Sequence, residues 1–231
     1  MSLLVPNRSR YFTGIVTRIF SLAILVLTVM SVDAVTTDNN LFDSNFSRGF
    51  SNIWKNVELF KHLTSYSVMG EGTNCCVHAV ADHSCSALTA KIRIQPADRL
   101  ILRWRWRIDG VATNGSERDL KRFDHAARVF VAFDTWIGPP RTLNYFWANS
   151  AKVGSLLEHP MTGRAEIFVV ESGNARAGEW VSEERDVTAD WRRAFPGRDM
   201  PEIVGIGMLT DSDSLGTRLS ADYGEIQLLK E

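Results

Sequence analysis

Between Leu100 and Ile108 the chain alternates strictly: Leu100, Leu102, Trp104, Trp106 and Ile108 fall on one flank, and Arg103, Arg105 and Arg107 on the other. Successive side chains of a strand leave by opposite faces, whereas helical spacing would scatter the arginines around the axis. The segment is therefore predicted as a strand with one apolar and one charged side. From Trp54 onward the same period of two recurs, broken by Gly, Asn, Asp and Pro. It predicts strands at Ser65–Met69, Cys75–Val80, Leu88–Ile94, Ala127–Asp134 and Leu143–Ala148. Glu166–Glu171, Trp180–Val187, Ile203–Thr210 and Tyr223–Leu229 complete the set. One helix is predicted, Ala189–Phe195, with Thr188 as its cap and Pro196-Gly197 as its stop. Short strands at this density point to an all-β, jelly-roll-like antiparallel β-sandwich with one short helix.

The beginning of the chain follows another pattern. Arg8, Arg10 and Arg18 precede an apolar run from Ile19 to Val32, which ends on Val32-Asp33-Ala34. A basic start, a short apolar core and a V-x-A exit describe a secretory signal peptide over residues 1–34. The alternative is a retained anchor, but a spanning helix wants roughly 20 apolar residues and this run is shorter. The mature chain then begins near Val35, exported to the periplasm or beyond a bacterial cell, and touches membrane only if the segment is kept. Residues 35–51 read as a polar linker, or an N-terminal strand preceded by one. Residues 52–231 read as a single sandwich domain.

Composition fits this division. A chain of 231 residues with 45% apolar content can bury one sizeable core. Its 26 basic and 27 acidic residues nearly cancel, and no basic run is present, so no nucleic-acid partner is expected. Cys75, Cys76 and Cys85 cannot all pair within one chain, and vicinal residues of a strand face opposite ways. They read as free and half buried, with a bridge from one of the pair to Cys85 as the alternative.

Seven ordered segments carry a resemblance. They are Leu102-Arg-Trp-Arg-Trp-Arg-Ile108, Asp124-His-Ala-Ala-Arg-Val-Phe-Val131, Leu143-Asn-Tyr-Phe-Trp-Ala148, Val170-Glu-Ser-Gly173, Glu184-Arg-Asp-Val187, Thr210-Asp-Ser-Asp213 and Ala221-Asp-Tyr-Gly-Glu-Ile226. In this order they resemble the bacterial domain-of-unknown-function family 3047 over nearly the whole mature chain. That resemblance implies no assigned activity. The C-terminal half also looks like carbohydrate-binding β-sandwiches, a likeness of fold and not of function.

Several groups could carry chemistry. Arg103, Arg105 and Arg107 stand about 7 Å apart along one sheet face. They read either as a salt-bridged face, with Glu171, Glu184 and Asp134 as available acids, or as a groove gripping a uronate, sulfate or carboxylate. Asp211, Asp213, Gly216 and Asp222 fall at the first, third, sixth and twelfth positions of a calcium loop, although Leu215 breaks the pattern. Asp211, Asp213 and Asp222 are thus candidate calcium ligands, against the simpler reading of a turn; no other cofactor is indicated. Cys75 to Cys85 holds five soft ligands, of which Cys76, His78 and Cys85 could share a hairpin face, but the spacing matches no zinc pattern.

Asp124, Asp134, Glu171, Asp186, Asp211 and Asp213 are the carboxylates from which an acid/base pair could come, with Asp124, Glu171 and Asp211 as catalytic candidates. No G-x-S-x-G, HExxH, P-loop or dinucleotide motif occurs. Trp104, Trp106, Tyr145 and Trp147 read as core, whereas Trp136, beside Gly138-Pro139-Pro140, reads as an exposed ring for stacking on a sugar. The leading expectation is an acidic or neutral glycan, or another cell-envelope ligand, bound without catalysis by Arg103, Arg105, Arg107 and Trp136. A polysaccharide hydrolase or lyase and a structural docking protein are the alternatives.

Overall fold

The computed structural model describes residues 39–231 apart from Lys61. The signal-peptide segment lies outside the described residues. Among the described residues thirteen strands follow in chain order. The first seven are β1 (Asn40–Asp43), β2 (Trp54–Phe60), β3 (Ser65–Met69), β4 (Cys76–Asp82), β5 (Cys85–Ile94), β6 (Leu100–Ile108) and β7 (His125–Phe133). Then come β8 (Arg141–Ala148), β9 (Leu156–Glu158), β10 (Ala165–Ser172) and β11 (Val181–Asp186). The helix α1 (Val187–Ala194), β12 (Ile203–Asp211) and β13 (Arg218–Lys230) complete the chain. Among the described residues no helix is long and apolar enough to cross a membrane.

The strands form two sheets. A front sheet runs β11-β6-β13-β4-β3, with β1 also paired to β13, and a back sheet runs β2-β5-β12-β7-β8-β10-β9. Their facing sides enclose one core. Leu102, Trp104, Trp106 and Ile108 of β6 meet Val129, Val131 and Phe133 of β7 and Tyr145 and Trp147 of β8 in it. Trp104 packs on Tyr145 with ring centroids 5.2 Å apart, and Trp106 on Trp147 at 5.8 Å. These are separations at which aromatic pairs add to simple burial. The four aromatics read as core are therefore core.

Three expectations need correction. The sandwich is not wholly antiparallel, because β10 pairs with β8 in parallel. Of the two readings of residues 35–51, the N-terminal strand holds and the plain linker does not: β1 pairs with β13, and Phe42 and Phe46 enter the core. The helix is capped by Asp186, whose carboxylate accepts the Ala189 N–H at 2.9 Å. Thr188 instead sits inside the first turn and donates its hydroxyl to the Ala97 carbonyl. An aspartate is as good a cap as a threonine, so composition alone did not choose between them.

Candidate functional site

The arginine row lies on the outer face of the front sheet, and most of its charge is answered. Arg103 Nε donates to Glu184 on β11 at 2.7 Å. Arg107 Nε donates to Asp222 on β13 at 2.9 Å, and the other oxygen of that carboxylate lies 2.7 Å from His78 Nδ1. Arg105 lies flat on the sheet where β13 bulges at Gly224; a Cβ there would sit 2.4 Å from Arg105 Cγ. Its guanidinium stacks 4.8 Å from the Trp180 ring, which Arg107 also faces. The row is solvent-accessible, but its two outer guanidiniums are committed to acids and an indole covers the middle one.

A second cluster occupies the outer face of the back sheet, where β5, β7 and β12 meet. A recess of about 300 Å³ has Phe60, Leu120, Phe123 and Met161 in its walls and Arg128 and Asp211 at its floor. Asp211 is buried; it accepts the His125 N–H at 2.9 Å and a short hydrogen bond from Arg128 Nη2. Asp124 is also buried and accepts the N–H groups of Ser214 and Leu215 at 2.8 and 2.7 Å. Burial and the Arg128 charge lower His159 to about 4, so it is neutral at pH 7. Burial raises Cys85 and keeps it a thiol, its sulfur 4.0 Å from Asp211 Oδ2. The charges of this floor serve one another.

These contacts decide where the other sequence candidates fall. Cys85, Asp211 and Asp213 bring ligand atoms within 4.8 Å of one another. Asp222 is on the front sheet with Arg107 and His78, so the three aspartates do not form a calcium loop. Cys76 and His78 lie on the front sheet and Cys85 on the back one, so the hairpin face imagined for them is not formed either. All three cysteines are free and buried. Of the catalytic candidates, Asp124 and Asp211 neighbour the same recess. Glu171 lies opposite Trp147 on β10, two strands from β7, and accepts from Arg176 at 2.6 Å.

The remaining candidate, Trp136, leads to a different place. It sits in the loop from 134 to 140, between β7 and β8, and is 98% exposed. The loop is braced from within: Thr135 Oγ1 donates to the carbonyls of Gly138 and Pro139 at 3.0 and 3.1 Å, and the Asp134 carboxylate accepts the Thr135 N–H. Arg164 Nη1 donates to the Pro139 carbonyl at 3.2 Å. Gly138, at φ +87°, permits this approach, since a Cβ there would lie 3.1 Å from Arg164 Nη2. The indole is thus held out by a constrained turn. Beside it opens a recess of about 440 Å³ bordered by Arg141, Arg164 and Arg198. These three come from the start of β8, the approach to β10 and the segment after α1. Sequence reasoning found the tryptophan and missed the arginines, which share no spacing along the chain.

A family model described as "Protein of unknown function (DUF3047)" matches residues 52–227. A comparison with curated proteins finds no match. Among solved structures, the chain is similar to a family 11 carbohydrate-binding module from Clostridium thermocellum in complex with a β-1,3-1,4-mixed-linked tetrasaccharide. The two are 9% identical over 80% of this chain and 92% of that one, with a TM-score of 0.43. The Emp47p carbohydrate recognition domain is 14% identical over 84% and 96%, with a TM-score of 0.46. Endoglucanase 3 of Trichoderma harzianum, from family GH12, is 9% identical over 82% and 88%, with a TM-score of 0.43. At these scores the overlaps carry no ligand or activity across.

Proposed function

The chain belongs to the family of unknown function DUF3047, and from the geometry of its loop rim we propose that it is a non-catalytic, glycan-binding β-sandwich. The observation that carries this reading is the fully exposed Trp136 on a braced turn beside a polar recess. An indole offers roughly 150–250 Å² of surface. At about 25 cal/mol per Å², covering half of it with the C–H face of a sugar is worth ~2–3 kcal/mol. Polar groups at the edge of such a platform then select among sugars. The order of basic, apolar and V-x-A residues at the start of the chain supports export, to a compartment where polysaccharide is met.

The catalytic alternative lacks comparable support, because Asp124, Glu171 and Asp211 are each held by backbone N–H groups or an arginine. A docking role has one observation in its favour, the half-exposed Leu59, Phe60, Leu120 and Met161 near the other recess. Concentration-dependent light scattering tests that second reading for self-association.

The test of the main proposal is a thermal-shift and fluorescence screen against neutral and acidic oligosaccharides at millimolar concentration. A ligand that binds the folded state raises Tm by mass action. Trp136→Ala should abolish the response. The proposal is wrong if no saccharide moves Tm, or if the response survives without Trp136.

A further inference from the structure

We propose that the recess beside Trp136 reads the anionic group of an acidic saccharide, a carboxylate or a sulfate, through Arg141, Arg164 and Arg198. This inference rests on the glycan-binding reading and adds the class of ligand. Three guanidiniums from separate elements border one recess, and among the described residues no carboxylate comes within 4.0 Å of any of them. Several surface arginines elsewhere are met by acids, among them Arg99 by Glu231, Arg103 by Glu184, Arg107 by Asp222 and Arg176 by Glu171.

The acids that border the recess are turned to other work or stand apart. Glu202 is bound by Arg93 at 2.5 Å and Gln95 at 2.8 Å. Asp134 accepts the Thr135 N–H, and Asp199 is exposed without closing on a guanidinium. Burial, then the charges of Arg198 and Arg164, hold the Arg141 guanidinium below its ordinary range, so the three cations repel one another.

Their donors are also largely unspent. Arg141 gives one hydrogen bond, to the Gly163 carbonyl at 3.4 Å, and Arg164 one, to the Pro139 carbonyl. A guanidinium carries five N–H groups in a planar fork that suits a carboxylate or sulfate two at a time. The volume falls within the roughly 300–1,000 Å³ of small-molecule sites. A sugar ring stacked on Trp136 would present its exocyclic acid to these forks. The arginine row of the front sheet, by contrast, has its outer members already bonded to Glu184 and Asp222.

Isothermal titration of the full chain tests this with galacturonate, glucuronate and mannuronate trisaccharides, each beside its methyl ester, a sulfated galactotriose, and sodium sulfate alone. At least one acidic saccharide should bind about tenfold more tightly than its uncharged counterpart at low salt. Arg141→Gln with Arg198→Gln should shrink that preference to within about twofold in a protein that still melts cooperatively. Binding of the sulfated sugar and no uronate supports the inference and assigns the anion as sulfate. If acid and ester bind alike, the anion inference falls and the glycan reading stands. If no saccharide binds, both fall. If sodium sulfate binds as tightly as the sulfated sugar and without need of Trp136, the recess is a plain anion site and the inference is overturned.

Discussion

Glu183 offers a quantitative test of the packing between the sheets. On β11, Val181, Glu183 and Arg185 share the inward face, where Val181 joins the core and Arg185 bonds Asp190 behind Tyr145. Glu183 is paired in register with Trp104, and its Oε1 is buried without a hydrogen-bond partner. The indole N–H groups of Trp104 and Trp106 are buried and unpartnered too. Burial pushes the Glu183 carboxyl up to about 7, and the Glu171 charge adds to this. The nearby Trp106 indole opposes the rise without closing a hydrogen bond.

Between pH 4.5 and 7 the folded state therefore holds a proton that the unfolded chain has released. The Glu183 contribution to stability is full below 4.5 and is lost as pH rises through 7. A displacement of about 2.5 pH units at 1.36 kcal/mol each sets a ceiling of roughly 3 kcal/mol, which partial solvent access reduces to about 2. Glu183→Gln removes the titration. Its Tm relative to wild type should be unchanged near pH 4 and higher by ~4–8 °C at pH 8. Circular-dichroism melts of both proteins from pH 4 to 8 supply the comparison, and taking their difference cancels the histidines. A wild-type Tm that stays parallel to the variant across that range would refute the reasoning.

Two further predictions concern buried charges packed against or within the back sheet. Burial raises the Glu117 carboxyl, but His125, with Nε2 3.6 Å away, and the Asn149 N–H at 2.6 Å bring it down to about 2. Its contribution is present above 4.5 and lost as pH falls toward 2. Glu117→Gln should thus lose up to roughly 3 kcal/mol at pH 7 by urea unfolding, with the gap to wild type closing near pH 2; a gap independent of pH refutes it. Asp211→Ala strands Arg128, which is 6% exposed and already has an unpartnered Nε, and should destabilise by about 3–5 kcal/mol. A measured loss under 1 kcal/mol would show that the pair is dispensable.

The parts of this molecule that could be read from the chain are those set by neighbours in sequence. Alternation placed β3 and β6 at their observed bounds and found the main body of most other strands, because a half-buried strand must alternate. β2 was not picked out, and beyond Trp54 its residues are exposed, so no buried side enforces the pattern. β9 is three residues long, too short for any period. The parallel pairing of β8 with β10 depends on how the intervening chain crosses, which no local pattern records.

Function followed the same division. The sequence displayed three arginines on one strand, and their very regularity put the outer two, Arg103 and Arg107, within reach of acids on the adjacent strands β11 and β13. Cross-strand partners neutralise a charged sheet face as a matter of course. The guanidiniums beside Trp136 are instead assembled from distant parts of the chain. Arg141, Arg164 and Arg198 occupy no common strand, so no ladder supplies each of them with a carboxylate opposite. A charged row that is conspicuous in a β-protein's sequence is for that reason a poor guide to its ligand. An exposed tryptophan in a Gly-Pro-Pro turn is a better one, because nothing in the fold requires an indole to stand in water.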